Sequence, residues 1–194
     1  MGSVIQSIVG TSVKGYSGDG GLAKEATMDN PFHVDIDPSG RYLYIADCFN
    51  FRVRRLNLDS GIIENFAGNG LQGHTGDGGD AKHASIDEIY AIQVDATGNV
   101  FICQRFHPSI RMIDKSTNEI STVVGTGKPG SGKDGISATK SAMLEPNDCA
   151  IDNDGHLLIA DVRDQRIRKF DPNTGTITTV AGTGVKEHTG DEGP

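Results

Sequence analysis

The sequence has little cysteine, no long apolar run and no visible leader segment. Its cysteines, Cys48, Cys103 and Cys149, form an odd set without a C-x-x-C pair or histidines at metal-ligand spacing. This pattern argues against a disulfide scaffold and predicts free, mostly buried thiols. No segment approaches the ~20 apolar residues that a membrane-spanning helix needs. Residues 1–10 lack a basic stretch followed by a long apolar one, so we expect no signal peptide and, for a full-length chain, a cytoplasmic protein.

Positive charge and hydrophobic residues are also in short supply. Lys and Arg number 18 against 26 Asp and Glu, which gives a formal net charge of −8. Repulsion from phosphates would oppose binding to nucleic acid or to an anionic membrane, so we expect neither as a partner. Hydrophobic residues make up 36% of the chain, whereas glycine is abundant at 26 residues. The glycines follow no G-X-Y period and no long polar tract is present, which excludes collagen and disorder.

An internal repeat of 57 or 58 residues is the strongest signal in the sequence. An apolar stretch that ends in glycine recurs at Gly10, Gly68, Gly125 and Gly182. Acidic loop residues keep the same spacing at Asp19, Asp77, Asp134 and Asp191. Two further blocks recur, at residues 44–47, 101–104 and 158–161, and at residues 52–56, 109–113 and 166–170. Self-similarity at such a period is typical of repeat architectures.

Each unit predicts four short strands joined by tight turns. In the third unit the apolar runs are residues 149–152, 156–160, 166–170 and 176–181, and the turns contain Asn-Asp-Gly and Asp-Pro-Asn-Thr-Gly. Apolar positions do not alternate strictly, which suits strands covered on both faces. Helical signal is limited to short stretches after the Gly-Asp-Gly loops. A four-stranded unit in tandem predicts a β-propeller, in which each blade buries its faces against its neighbours.

Residues 30–37 (NPFHVDID), together with residues 39–40, 43–47, 50 and 52–53, resemble the NHL repeat, as do residues 16–23 and the third unit. The resemblance covers essentially the whole chain. It implies an all-β propeller of four-stranded antiparallel blades, usually six in number. NHL-like propellers are mostly binding scaffolds, but similar propellers include lyases and lactonases with a metal in the central channel.

The number of units is too small for a closed ring. Three complete units are present, at about residues 30–67, 88–124 and 145–181, within a single NHL-type unit over residues 1–194. A spare outer strand at residues 4–9 precedes them, and a trailing inter-blade loop at residues 182–194 follows. The chain is therefore predicted to pair with a second copy into a six-bladed homodimer, or to be a fragment of a longer propeller. In the dimer, residues 4–9 and residues 177–181 of the partner compete for the same edge position.

Several loop motifs resemble ligand sites but lack an essential part. Residues 125–130 fit G-x-G-x-x-G and residues 127–133 fit most of a P-loop, but Asp134 stands where Ser or Thr would hold magnesium and no long helix follows. Asp19 and Asp77 lie in Gly-Asp-Gly-Gly loops without the spacing of a calcium loop. We predict that they cap short helical turns or form Asx bonds. Asp47 and Asp161 are predicted to stabilise turns, with Arg52 and Arg166 nearby.

Positions that differ between units point to function, because structural needs are shared by all units and function need not be. His33 and Asp148 occupy a position that is usually a small residue in the NHL pattern, at the entry to the innermost strand. A neutral imidazole and a carboxylate there suit a ligand or a metal. Glu88 and Glu145 are further channel candidates. In the second unit, residues 104–109 (QRFHPS) replace residues 47–52 (DCFNFR), and this loop suits a small polar or anionic ligand.

The sequence therefore predicts a non-enzymatic NHL-repeat binding or scaffold protein that recognises a protein, peptide or small polar ligand on the loop face around the central channel. The predicted site residues are His33, Glu88, Gln104, Arg105, His107 and Asp148. We expect no cofactor and no bound metal. The alternative is a metal-dependent lyase or lactonase-type propeller enzyme with a channel metal. No Ser-His-Asp, Cys-His or H-E-x-x-H constellation is visible in the sequence.

Overall fold

Short apolar runs between Gly-, Asp- and Asn-rich turns form three antiparallel sheets in the computed structural model, which describes residues 4–187. Sheet 1 contains, in order, β1 (Pro31–Ile36), β2 (Tyr42–Asp47), β3 (Arg52–Asn57) and β4 (Ile63–Ala67). Sheet 2 begins with the short strand β5 (Gly79–Asp80) and continues with β6 (Ile89–Val94), β7 (Val100–Gln104), β8 (Ser109–Ile113) and β9 (Glu119–Val124). Strand β5 pairs with the outer edge of β9. Sheet 3 repeats this plan with β10 (Ile136–Ser137), β11 (Pro146–Ile151), β12 (Leu157–Asp161), β13 (Arg166–Asp171) and β14 (Thr176–Ala181).

The turn between the first and second strands is closed in the same way in each sheet. Asp37, Asp95 and Asp152 each accept backbone N–H groups from the following residues of the turn. The glycines of these turns have positive φ angles, for example 93° at Gly98, which other residues rarely adopt. The turn residues thus determine where each hairpin reverses.

The sheets pack face against face, and the first strands lie side by side, since β6 contacts both β1 and β11. We call the face of each sheet that points to the next sheet its forward face, and the opposite one its rear face. The forward face of sheet 1 consists of Tyr44, Ala46, Val53, Phe66 and Ala67. It packs on the rear face of sheet 2, which consists of Ile92, Val100, Ile102, Ile113 and Ile120. These faces form one hydrophobic core, and burying each such aliphatic side chain stabilises the fold by about 1.5–3 kcal/mol.

The second junction repeats the first. The forward face of sheet 2 consists of Phe101, Cys103, Ile110 and Val124. It packs on the rear face of sheet 3, which consists of Cys149, Leu157, Ile159, Phe170 and Ile177. The all-β prediction, with four-stranded antiparallel units, is confirmed.

A fully buried arginine on the third strand of each sheet holds the loop that leads into that sheet. Nη2 of Arg54, Arg111 and Arg168 lies 2.8, 2.6 and 2.8 Å from a carboxylate oxygen of Asp19, Asp77 and Asp134, respectively. Asp19 and Asp77 were predicted to cap helical turns or form Asx bonds, and that prediction is wrong for Asp77. The cap of the 3-10 turn Ala81–His83 is Asp80, whose side chain accepts from the Lys82 N–H. A buried guanidinium needs a counter-charge, and the loop aspartate supplies it.

Carbonyl oxygens complete the environment of these arginines. Arg111 Nη1 donates to the Ser85 carbonyl at 3.0 Å and Nη2 to the Thr75 carbonyl at 2.9 Å. Burial alone would raise the pKa of Asp77, but hydrogen bonds from Thr122 and the positive charge of Arg111 hold it below its ordinary value. The loop and the third strand are therefore joined by a charged network as well as by packing.

The arginine that pairs with Asp47 is Arg54, at 3.3 Å, rather than the predicted Arg52. Arg52 instead donates to the carbonyls of Gly68 and Asn69 in the next loop, at 2.6 and 2.9 Å. Both arginines lie on the same face of β3, and burial separates them: Arg54 and Asp47 are fully buried, whereas Arg52 is only half-buried.

No strand forms at residues 4–9, which were predicted as an extra outer strand. The equivalent strands β4, β9 and β14 pair with the third strand of their own sheet. Residues 4–9 precede sheet 1, and the described part of the chain offers no third strand for them. Residues 188–194 of the predicted trailing loop, including Asp191, lie outside the described residues.

The three cysteines are buried and unpaired, as predicted. Burial raises the pKa of the Cys48 thiol to about 12, so it is protonated and unreactive at neutral pH. Between residues 4 and 187, no helix has the length and apolar character that crossing a bilayer requires.

Removing the loop carboxylate should destabilise the fold strongly. We expect Asp77→Ala to lower the free energy of unfolding by about 2–3 kcal/mol, because it leaves the buried Arg111 charge without its counter-ion. The matched control is Asp59→Ala, which removes an exposed ion pair with Arg41 and should cost less than about 1 kcal/mol. Urea denaturation measures both, and equal effects of the two substitutions would contradict the role assigned to Asp77.

Candidate functional site

One edge of the three sheets gathers the loops that enter each sheet and the loops that join its second and third strands. At this edge a backbone N–H of the second loop donates to a carbonyl just before the first strand. The pairs are Cys48 to Asn30, Arg105 to Glu88 and Val162 to Glu145. We call this edge the mouth, defined by residues 29–32, 48–50, 87–90, 105–107, 144–147 and 162–164. The second-unit loop around Arg105 therefore lies at the same edge as the entry to its first strand.

A charged cluster centred on Arg105 lies on the mouth between sheets 2 and 3. Arg105 Nε donates to Glu145 Oε1 at 3.1 Å, and its Nη1 donates to the Tyr90 hydroxyl at 2.8 Å. Glu88 Oε2 lies 3.9 Å from Nη1, and Arg163 Nε lies 3.6 Å from the other oxygen of Glu145. We call these five residues the Arg105 cluster. They combine two cations, two carboxylates and a phenol.

An aromatic pair borders the Arg105 cluster. The rings of Phe32 and Tyr90 stack across the junction of sheets 1 and 2, with centroids 4.6 Å apart and planes 18° apart. The Arg105 guanidinium carbon lies 5.1 Å from the ring centroids of both Tyr90 and Phe106. Burial raises the pKa of Tyr90, against the opposing effect of the Arg105 charge, so the hydroxyl keeps its proton at neutral pH. Because that hydroxyl accepts from Arg105, its proton can be donated to a ligand.

The pairing inside the Arg105 cluster limits which ligands it suits. Burial alone would lower the pKa of Arg105, but the neighbouring Tyr90 and Glu145 raise it, so the guanidinium stays charged. Its charge is already balanced by Glu145, and a simple anion would have to compete with that carboxylate. Among residues 4–187, Arg105 Nη2 makes no hydrogen bond, and the carboxylate of Glu88 has Arg105 as its one ion-pair partner. The cluster can therefore donate to and accept from a ligand at the same time.

His33 and Asp148 do not meet. His33 Nδ1 accepts from the Ile92 N–H at 3.3 Å, so the imidazole links β1 to β6. Asp148 is exposed on β11, and its Oδ1 accepts from the Cys149 N–H at 2.8 Å. Sheet 2 stands between their strands β1 and β11, so the two side chains make no direct contact.

Gln104, predicted to contact a ligand, is fully buried. Neither atom of its amide group has a hydrogen-bond partner among the described residues. The equivalent residues Asp47 and Asp161 are also buried and accept N–H groups of the entering loops. Because the side chain of Gln104 has no solvent exposure, it cannot touch a ligand at the mouth.

Asp87 takes over part of this role in sheet 2 and orients His107. Its carboxylate accepts from the backbone N–H groups of Glu88 and His107, and Oδ2 also lies 3.0 Å from His107 Nδ1. The His107 ring stacks on His74, with centroids 5.8 Å apart. His74 Nε2 lies 3.2 Å from the Thr122 hydroxyl oxygen. His107 thus lies in the same loop as Arg105 but belongs to a separate polar group with Asp87 and His74.

The residues that the sequence-based prediction did not include in the site are Phe32, Tyr90, Glu145 and Arg163. Glu145 had been considered only as a channel carboxylate. A usable signal existed for Phe32 and Tyr90, because they are the equivalent aromatic residues of two successive units. Their stacking depends on the junction between the sheets, which the repeat pattern alone does not describe.

One group with metal-ligating atoms lies at the opposite edge. Asp152, Asp154 and His156, in the first turn of sheet 3, bring one ligand atom each within 4.8 Å of one another. Asp152 closes this turn in the same way as Asp37 and Asp95 close theirs, so a turn-forming role accounts for it.

Comparison with curated proteins gives two distant relatives. Protein SUPPRESSOR OF QUENCHING 1, chloroplastic, from Arabidopsis thaliana is 28% identical over 165 residues, which is 81% of this chain and 15% of that protein. NHL repeat-containing protein 2 from Bos taurus is 26% identical over 143 residues, which is 70% of this chain and 20% of that protein. The chain thus spans a fifth or less of these relatives. No protein-family model matches the chain.

Solved structures show the same architecture. An auxiliary nutrient binding protein from Bacteroides ovatus superposes with a TM-score of 0.63 at 15% identity, over 82% of this chain and 40% of that one. Virginiamycin B lyase from Staphylococcus aureus gives a TM-score of 0.52 at 16% identity, over 77% and 40% of the two chains. At these identities the likeness concerns the fold alone.

Three stacked antiparallel sheets with their loops gathered at one mouth define a propeller-type repeat protein. The resemblance to the NHL repeat that the motifs predicted is confirmed by the similarity to an NHL repeat-containing protein. The structural neighbours support the propeller-type fold.

His74 should make stability depend on pH. Burial, and then the positive charge of Arg111, lower its pKa below the ordinary 6.5. Below pH 6.5 the unfolded chain therefore binds a proton that the folded chain excludes, so stability falls as the pH is lowered. We expect His74→Gln, which cannot titrate, to flatten this decline in thermal melts between pH 7 and about 5. The exposed His83→Gln serves as the control, and an unchanged slope in His74→Gln would contradict the assignment.

Proposed function

We propose that this protein is a non-enzymatic NHL-repeat binding module that recognises a small polar ligand or a peptide at the mouth. The Arg105 cluster carries the proposal. The positions equivalent to Arg105 are Cys48 in sheet 1 and Val162 in sheet 3. Because the three sheets share one architecture, a charged cluster present at one junction is not required by that architecture. It is a feature specific to this part of the surface.

The chemistry of the cluster suggests the kind of ligand. The Arg105 Nη2 group and the Tyr90 hydroxyl can donate, the Glu88 carboxylate can accept, and the exposed ring of Phe32 offers an apolar platform beside them. A group with both donors and acceptors, such as an amino acid, a sugar or a peptide segment, satisfies more of these atoms than a simple anion does. An auxiliary nutrient binding protein among the structural neighbours is consistent with a binding role.

The second candidate is a metal-dependent lyase or lactonase-type enzyme. The propeller lyase among the structural neighbours is the observation that favours it. Binding is preferred because, within residues 4–187, the group of three metal-ligating side chains lies in a turn at the edge opposite the mouth. Metal analysis of the purified protein addresses this candidate, and a stoichiometric metal lost in His33→Ala would support the enzyme.

We also propose that a second copy of the chain supplies the missing half of the ring, giving a homodimer with six blades. About four fifths of this chain superposes on 40% of each of the two structural neighbours described above, so three sheets account for less than half of such a protein. A complete ring would place two Arg105 clusters around one mouth.

A defined panel of probes tests the binding function. The probes are the twenty free amino acids, a set of monosaccharides and a tripeptide library, screened by thermal shift and then by calorimetry. We expect at least one probe to bind and Arg105→Ala to weaken it about tenfold or more, which corresponds to about 1.4 kcal/mol. Arg41→Ala, which removes an exposed arginine at the opposite edge, is the matched control and should leave the affinity unchanged. Failure of every probe to bind, or equal affinity in Arg105→Ala, would overturn the proposal.

A further inference from the structure

The forward face of sheet 3 is uncovered although it repeats the covered forward faces of sheets 1 and 2. Ile167 is 37% exposed, whereas the equivalent Val53 and Ile110 are fully buried against the next sheet. Val180 is 52% exposed, and the equivalent Phe66 is 6% exposed. The apolar residues of this face therefore match, position by position, surfaces that elsewhere in the chain form a hydrophobic core.

The rear face of sheet 1 shows the complementary pattern. Val34 is 52% exposed, whereas the equivalent Ile92 and Cys149 on the other inner strands are 0% and 4% exposed. Ile36 beside it is 46% exposed. The other rear-face residues Ile45, Leu56 and Ile63 are covered by the entering loop, so the exposed apolar residues of this face lie on the inner strand β1.

Hydrogen bonds between inner strands accompany the packing. His33 on β1 accepts from the Ile92 N–H, and Asp35 on the same strand accepts from the Val94 N–H at 2.8 Å. Side chains of one inner strand therefore bond the backbone edge of the next inner strand. Asp148 is the residue of sheet 3 equivalent to His33, and the backbone N–H equivalent to that of Ile92 is that of Val34 in sheet 1. Asp148 is exposed in the single chain.

We propose that the forward face of sheet 3 packs on the rear face of sheet 1 of a second copy, twice around a two-fold axis. The contact has the same register as the two junctions inside the chain. This inference rests on the proposed six-bladed ring. It specifies the contact between the two chains of that ring, which we call the seam. The second copy is the occupant because its sheet 1 presents a rear face equivalent to the surfaces that cover the forward faces of sheets 1 and 2. At the seam, the Asp148 carboxylate accepts from the Val34 N–H of the second copy.

The seam also completes the mouth. Inside the chain, Phe32 stacks on Tyr90 of the next sheet. Asn147 is the equivalent of Tyr90 in sheet 3, so the Phe32 ring of the second copy lies against Asn147. The charged bridge of Arg105 and Glu145 is replaced at the seam by Val162 and Asn30. Both chains therefore contribute side chains to the ligand surface, and one junction in every three around it carries the charged bridge.

The mass in solution tests the seam. Sedimentation analysis should give a single species of twice 20.6 kDa. Ile167→Glu, which places a charge on the forward face of sheet 3, and Val34→Lys, which places one on the rear face of sheet 1, should each raise the dimer Kd about a hundredfold or more. Leu71→Glu makes the same apolar-to-acidic change on an exposed loop and should leave the dimer intact.

Mixing the two seam variants gives a sharper result. A pair of Ile167→Glu and Val34→Lys chains contains one unaltered seam and one seam in which the new charges are opposite. We expect the mixture to regain the two-chain mass, which also shows that both variants are folded. Recovery of a dimer from two monomeric variants is not expected of a surface unrelated to these faces.

Three results would overturn the seam: a single-chain mass for the unmodified protein, a series of larger open polymers, or two-chain masses for both seam variants alone. A single-chain mass would indicate that further blades of a longer chain cover these faces. Arg105→Ala keeps both faces and should stay dimeric, so its mass and its ligand affinity separate failure of the seam from failure of the binding function.

Discussion

The buried arginine of each third strand is the interaction on which the rest of this structure depends. A guanidinium without access to solvent needs a counter-charge and hydrogen-bond acceptors from neighbouring protein groups. The aspartate of the Gly-Asp-Gly loop supplies the charge, and carbonyls of the same loop supply acceptors, as at Arg111 with Asp77, Ser85 and Thr75. The long entering loop is thereby held over its own sheet. The last residues of the entering loops, among them Glu88 and Glu145, lie at the mouth.

Sheet 2 keeps this arginine but changes the polar groups around it. In sheet 1, Asp47 accepts the Asp29 N–H of the entering loop, and Arg52 donates to the Gly68 carbonyl of the next loop. In sheet 2, Gln104 and Ser109 occupy these two positions, and neither can replace the lost charge. Asp87 accepts the loop N–H groups instead, and the His74 and His107 rings stack nearby. These substitutions leave the fold unchanged, and the neighbouring loop residue Arg105, equivalent to Cys48 and Val162, bridges sheets 2 and 3 at the mouth.

The same repetition explains the uncovered forward face of sheet 3 and the uncovered inner strand of sheet 1. A sheet of this kind is apolar on both sides and is stable only between neighbours. Sheets 1 and 2 bury their forward faces, whereas sheet 3 presents Ile167 and Val180 to solvent. Residues 4–9 form no strand because the third strand that such a segment requires is missing from the described chain. The stack of three sheets is therefore an incomplete arrangement, and the proposed second copy satisfies both ends with contacts of a kind that the chain already uses twice.

The sequence by itself determined the local structure: the period, the turns at residues such as Asp37 and Gly98, the four strands of each unit and the NHL-like character. These features depend on residues close together in the chain, so a repeated pattern reveals them. Arg105, Glu88 and Glu145 were also visible as candidates, because units can be compared position by position. The tertiary structure alone decided which charges pair, since Asp77 meets Arg111 from 34 residues away. It also decided that Gln104 is inaccessible and that Phe32 stacks on Tyr90. Contacts between distant strands and between sheets depend on the pleat and on the angle of packing, which no single repeat encodes.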